Sequence, residues 1–115
     1  MAELLIDHTP STDVTRPIDD SGLDRIGVAL ADPTRRAILI RLVDTTWRPS
    51  ELADSIGISR PKLSNHLACL RGCGLIEAHR SGRNLHYTLV TPEFGSALRT
   101  LLDVAARLPE CSEPT

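Results

Sequence analysis

A chain of 115 residues and 12.6 kDa, 41% apolar and 24% charged, has the size and make-up of one ordinary globular domain. No apolar run approaches the roughly 20 residues of a bilayer-crossing helix, residues 1–13 carry acids and no export segment, and three cysteines fit reduced thiols better than a bridge framework. A membrane protein, a secreted disulfide scaffold and a disordered acidic tail are thereby excluded, and a reducing cytoplasm is the expected compartment.

The net charge of −2 is segregated along the chain. Residues 1–32 sum to −5, 33–56 to +1, 57–90 to +4 and 91–115 to −2. A basic stretch inside an acidic chain is what a local phosphate-binding surface looks like, although ordinary surface arginines would give the same sums.

Residues 1–20, rich in Thr, Pro, Asp and Ser, read as a flexible arm. Order is expected from Ser21, read as an N-cap, with Leu23, Ile26 and Leu30 at helical spacing. Asp32-Pro33 then restarts the chain as cap and first helical residue. Ile38, Leu39, Leu42 and Val43 form the apolar face of that helix, and 45–49 is a connection. Residues 50–56 make a short helix ending at Gly57. Ser59 caps a longer one with Pro61 in its first turn, and the pair reads as a helix-turn-helix.

Gly74 stops the second helix. Leu75–His79 and Leu85–Val90 read as strands joined through Ser81-Gly82-Arg83, a β-hairpin in the place of a wing. Thr91-Pro92 opens a last helix with Phe94, Leu98, Leu101, Ala105 and Leu108 on one stripe, Leu102 beside it and Pro109 ending it. The fold expected is mainly α with a small hairpin: a winged helix-turn-helix over 21–108, followed by a tail over 109–115. With only Trp47, Tyr87 and Phe94 as aromatics, the core is aliphatic. The terminal helices have more apolar face than one small domain can cover, which points to a homodimer through them.

At 100° per residue, Leu63, Leu67 and Leu70 cluster on the packing face of the second helix, with Ser64, Asn65 and Ala68 opposite. Ser59, Arg60 and Lys62 stand at its start. In a DNA major groove Asn can pair with adenine, Arg or Lys with guanine, and Ser with either. The helix N-terminus adds a favourable dipole for phosphate. Arg80 and Arg83 on the hairpin can enter a minor groove or touch backbone. Each residue alone would pass as a solvated side chain; together they point to double-stranded DNA. His66 lies between the core and cysteine faces and is read as a packing or DNA-contact residue, while His79 and His86 on the hairpin are read as structural or backbone contacts.

Cys69 and Cys73 are four apart near the end of the same helix, about 120° and 80° from its packing direction. Two side chains at this spacing can share a metal, and thiolates suit thiophilic ions such as Cd(II), Pb(II), Zn(II) or Cu(I). Coordination is expected to release the thiol protons. Such pairs also arise by chance, and two ligands do not complete a site. Cys111 in the tail is available as a third, from the same subunit or a partner.

Ala29-Leu30-Ala31-Asp32-Pro33-Thr34-Arg35, Glu51-Leu52-Ala53, Ser64-Asn65-His66-Leu67 and Gly82-Arg83, in that order, resemble the ArsR/SmtB family of metal-responsive repressors over roughly residues 21–108. The run from Ser64 to Leu75 is similar to the family's cadmium/lead sensors, which use two recognition-helix cysteines and one in the tail. The resemblance implies Cys69, Cys73 and Cys111 as ligands of Cd(II) or Pb(II), with Zn(II) admitted and Cys111 donated across the dimer. Two other family sites look absent: 46–52 holds no cysteine, and 91–115 holds no histidine. The arm offers only His8 or carboxylates.

The reading is a homodimeric repressor that holds operator DNA when metal-free and leaves it on binding the ion. No membrane and no small organic substrate are expected. A thiol redox-sensing repressor on the same fold is one alternative, weakened because a thiol near a helix C-terminus is a sluggish nucleophile. A metal-buffering or chaperone protein is another, and it leaves the polar first turns of the second helix unexplained. No nucleophile-base spacing or phosphate-cradling loop suggests an enzyme.

Overall fold

The computed structural model describes residues 18–111. The expected arm lies mostly outside them, and the tail is described only as far as Cys111. In chain order the elements are α1 (Ser21–Ala31), α2 (Pro33–Arg41), α3 (Pro49–Ile56), α4 (Arg60–Gly72), β1 (Ile76–Ser81), β2 (Asn84–Leu89) and α5 (Pro92–Ala106).

Local chemistry explains most boundaries. Asp32, Ser59 and Thr91 each stand at an N-cap, and their side chains accept from the backbone N–H groups of Arg35 (2.9 Å), Lys62 (3.3 Å) and Phe94 (3.1 Å). Each cap is followed by proline within the first helical turn, where a missing N–H costs nothing. The first helix departs from the expectation. Its N-cap is Asp20, which makes no side-chain cap, and Ser21 is the first helical residue. Asp19 Oδ1 accepts from the Ser21 N–H at 3.1 Å instead.

The C-terminal ends of α3 and α4 are built alike. Gly57 and Gly74 take φ of 83° and 77°, the left-handed region open to glycine. Beyond them Ile58 N–H donates to Ala53 O (3.1 Å) and Leu75 N–H to Leu70 O (3.0 Å), the six-to-one bond of a Schellman end. The hairpin turns in two residues, Gly82-Arg83, one fewer than expected, with Gly82 at φ 62°.

β1 and β2 are antiparallel, from Ile76 opposite Leu89 to Ser81 opposite Asn84. The connection before α3 adds an unexpected isolated bridge to β2: Trp47 and Tyr87 exchange backbone bonds of 2.9 and 3.4 Å. Trp47 Nε1 also donates to Arg41 O at 3.0 Å, tying the hairpin base to the end of α2.

The core is aliphatic, as composition implied. Ile38, Leu39 and Leu52 are fully buried, and Leu63, Leu67, Leu70, Leu75, Ile76 and Leu98 nearly so. The expected stripe of α5 divides within the single chain. Leu98 is buried and Phe94 half-buried, whereas Leu101, Leu102, Val104 and Leu108 are exposed. On α1, Leu23 and Val28 are likewise exposed. Among the described residues no helix is long and apolar enough to cross a membrane.

Candidate functional site

The burial of Leu63, Leu67 and Leu70 seats α4 on the core and turns its first two turns outward. Arg60, Lys62, Ser64 and Asn65 are all exposed there. Ser59 is exposed as well, with its hydroxyl engaged as the cap of α4. Arg60 and Ser64 border a cleft whose other wall is Leu85 and Tyr87 of β2, so the wing flanks the recognition helix directly. Arg80 and Arg83 are exposed on the wing. Among the described residues none of Arg60, Lys62, Arg80 and Arg83 takes part in an ion pair.

His66 is placed differently from its neighbours. It is half-buried, with Nδ1 4.0 Å from Asp32 Oδ2, and it links α4 to the start of α2. The Asp32 carboxyl is held below its ordinary value, chiefly by the Arg35 backbone N–H; desolvation opposes this, and the nearby His66 and Arg35 charges add to the lowering. On the outer face of the wing His79 and His86 stand opposite each other and stack, with ring centres 5.4 Å apart. His79 Nε2 lies 2.9 Å from Thr88 Oγ1 and 3.5 Å from Glu77 Oε1.

The two helical thiols share a groove. Cys69 is exposed and Cys73 half-buried, and together they line a cavity of about 120 Å³ against Asp24, Arg25 and Val28 of α1 and Arg35 of α2. Their spacing was legible in the sequence; the facing residues were not, because nothing in a helical period says which element packs alongside. Arg35 Nε is buried there and has no hydrogen-bond partner. Cys111 is exposed, five residues beyond the end of α5. Among the described residues no three His, Cys, Asp or Glu side chains of one chain gather into a metal cluster. One chain therefore unites two of the three expected thiols and leaves the third apart.

Residues 32–78 match the family model described as bacterial regulatory protein, arsR family. Over 91 residues the chain is 45% identical to the HTH-type transcriptional regulator CmtR of Mycobacterium tuberculosis, covering 79% of this chain and 77% of that one. The chain belongs to the arsR family. Its relatives are transcriptional regulators, so this ArsR protein is a DNA-binding regulator and not an enzyme.

Solved structures agree with that placement. The NMR structure of the cadmium metal-sensor CmtR from Mycobacterium tuberculosis aligns with a TM-score of 0.62 and 42% identity, over 79% of this chain and 99% of that one. The homodimeric winged helix-turn-helix DNA-binding domain of a Mycobacterium bovis protein aligns at 0.68 and 27% identity, covering 74% and 79%. The expected winged helix-turn-helix is thus the fold of this ArsR chain, with α3 and α4 as its helix pair and β1–β2 as its wing.

Proposed function

We propose that this ArsR protein is a homodimeric, metal-responsive repressor that binds an operator of imperfect two-fold symmetry when metal-free and releases it on binding Cd(II) or Pb(II), with Zn(II) a weaker candidate. The observation that carries the proposal is that Cys69 and Cys73 line one groove against α1, on the same helix that presents Ser64 and Asn65 outward. The donor set fits a soft ion, since thiolates prefer such ions over hard cations. Cys69 and Cys73 would hold it, with Cys111 of a partner subunit as the third donor. The similarity to a cadmium metal-sensor supports this reading.

Dimerisation would cover the exposed Leu101, Leu102 and Val104 of α5 and Leu108 just beyond it with the exposed Leu23 and Val28 of α1, and a homodimeric relative supports it. Two recognition helices related by a two-fold axis would then read two half-sites. Arg60, Lys62, Arg80 and Arg83 would take phosphate contacts, while Ser64 and Asn65 would face base edges.

Regulation needs the ion to prefer one arrangement of the dimer. A coupling of about 1–3 kcal/mol is typical, and it acts equally on the affinities for ion and DNA. Asn65 and Cys69 are one turn apart on α4, so restraining Cys69 and Cys73 against α1 limits how α4 can settle in a groove. The site lies on the reading helix, which makes the path short.

The test is titration of the fully reduced protein with Cd(II), followed by thiolate-to-metal charge-transfer absorbance, together with operator binding. A saturable band at one ion per subunit, weakened by about a third in Cys111→Ser if three thiolates contribute equally, is expected. Dimers carrying Cys69→Ser and Cys73→Ser that still leave the operator on adding Cd(II) would refute it. An absent band would instead move the signal to oxidation or another ligand.

A further inference from the structure

We infer that Arg35 is a positioning residue of the thiol site, its Nε–H donating to the sulfur of a metal-bound Cys69 or Cys73 thiolate; the inference rests on the metal-sensing reading above. Arg35 lines the groove that holds both thiols. Its Nε is the one buried side-chain nitrogen or oxygen without a hydrogen-bond partner among the described residues. A buried donor left unpaired is disfavoured, and native structures rarely keep one without a use. Asp24 borders the same groove, yet no ion pair joins it to Arg35.

Charge leads to the same assignment. A neutral thiol is a weak acceptor, whereas a thiolate is a charged one and takes a stronger hydrogen bond. Coordination strips the proton from each sulfur and passes it to solvent. Three thiolates on a divalent ion leave one net negative charge, and a guanidinium keeps its positive charge throughout the accessible pH range. Arg35 Nε makes no hydrogen bond to either thiol in the metal-free chain, and the contact forms when loading turns the sulfurs into charged acceptors beside it, in the way outer-shell donors support other metal ligands. Its backbone is held by α2, where the Arg35 N–H is also bound by the Asp32 cap, so the side chain starts from a fixed point.

The test compares the wild-type dimer with Arg35→Met, which keeps an unbranched apolar stem and removes charge and donor, and with Arg35→Lys, which keeps the charge and removes the planar Nε–H. Cadmium affinity is read by chelator competition and the charge-transfer band by absorbance. Arg35→Met should weaken cadmium binding about 10- to 100-fold and move the band to longer wavelength, because a sulfur relieved of its hydrogen bond gives up charge more easily. Arg35→Lys should recover part of the affinity without restoring the band position. A purely structural role would lower thermal stability of the metal-free protein and leave the band where it was.

Unchanged affinity and band position in a folded Arg35→Met dimer overturn the inference alone. A wild-type protein without a thiolate band overturns the metal-sensing reading and this inference with it. Should Arg35→Met fail to fold, NMR of the wild-type dimer decides: the Arg35 Nε–H resonance should shift downfield and exchange more slowly on cadmium loading. An unmoved resonance overturns the assignment.

Discussion

Arg83→Ala gives the sharpest account of how this ArsR protein would hold DNA. Arg83 stands at the wing turn, exposed and outside any ion pair among the described residues, in company with Arg60, Lys62 and Arg80. If each of these cations neutralises one phosphate, a dimer makes about eight contacts, and the logarithm of its DNA affinity should fall against the logarithm of salt with a slope of about −7. Removing Arg83 removes about two contacts per dimer and should flatten that slope by about 1.8. Between 50 and 200 mM salt the wild type should lose about four decades of affinity and the variant about three. Fluorescence anisotropy of a labelled operator and of a scrambled duplex, over that salt range, reads both quantities. Uniform weakening on both duplexes is expected. An unchanged slope would remove the wing tip from the interface, and a loss confined to one base pair would make Arg83 a reader of sequence instead of a phosphate contact.

Other perturbations test the scaffold. Leu52→Ala should destabilise the fold by about 2–5 kcal/mol in urea unfolding, because Leu52 is fully buried where α3 meets the core. Thr91→Ala removes the acceptor of the Phe94 N–H and should cost about 1 kcal/mol by the same measurement. Leu101→Arg places a charge on the exposed apolar face of α5 and should shift sedimentation from dimer to monomer while leaving the circular dichroism of the helices in place. The Asp32 carboxyl titrates below its ordinary value of 3.8 when folded. Its stabilisation is therefore complete above about pH 4 and is lost as the pH falls through the folded value. Asp32→Asn should make stability fall less steeply below pH 4, seen in acid-unfolding curves.

Much of the architecture could be read locally. Asp32-Pro33, Ser59 and Thr91-Pro92 mark helix starts because caps and proline act within one turn, and Gly57 and Gly74 mark ends because a left-handed residue is needed there. The hairpin followed from alternation around Gly82, although its turn proved shorter by one residue. What local rules could not carry was pairing across distance. Nothing near Trp47 announces a backbone bridge to Tyr87, forty residues on, since a single rung leaves no periodic trace. His66 sits in a polar run, and only the packing of α4 on α2 brings it to Asp32.

The candidate site divides along the same line. That two thiols lie one turn apart on the recognition helix and that cations gather between residues 57 and 90 could be read without coordinates, because helical spacing and charge sums are properties of order along the chain. Packing was needed to show that the thiols face α1 across a groove, that Arg35 lines it with an Nε buried and unpartnered among the described residues, and that Cys111 joins no metal-binding cluster with them in one chain. A helix fixes the direction of each of its side chains relative to the others, whereas the surface each one meets is chosen by burial of the whole aliphatic core.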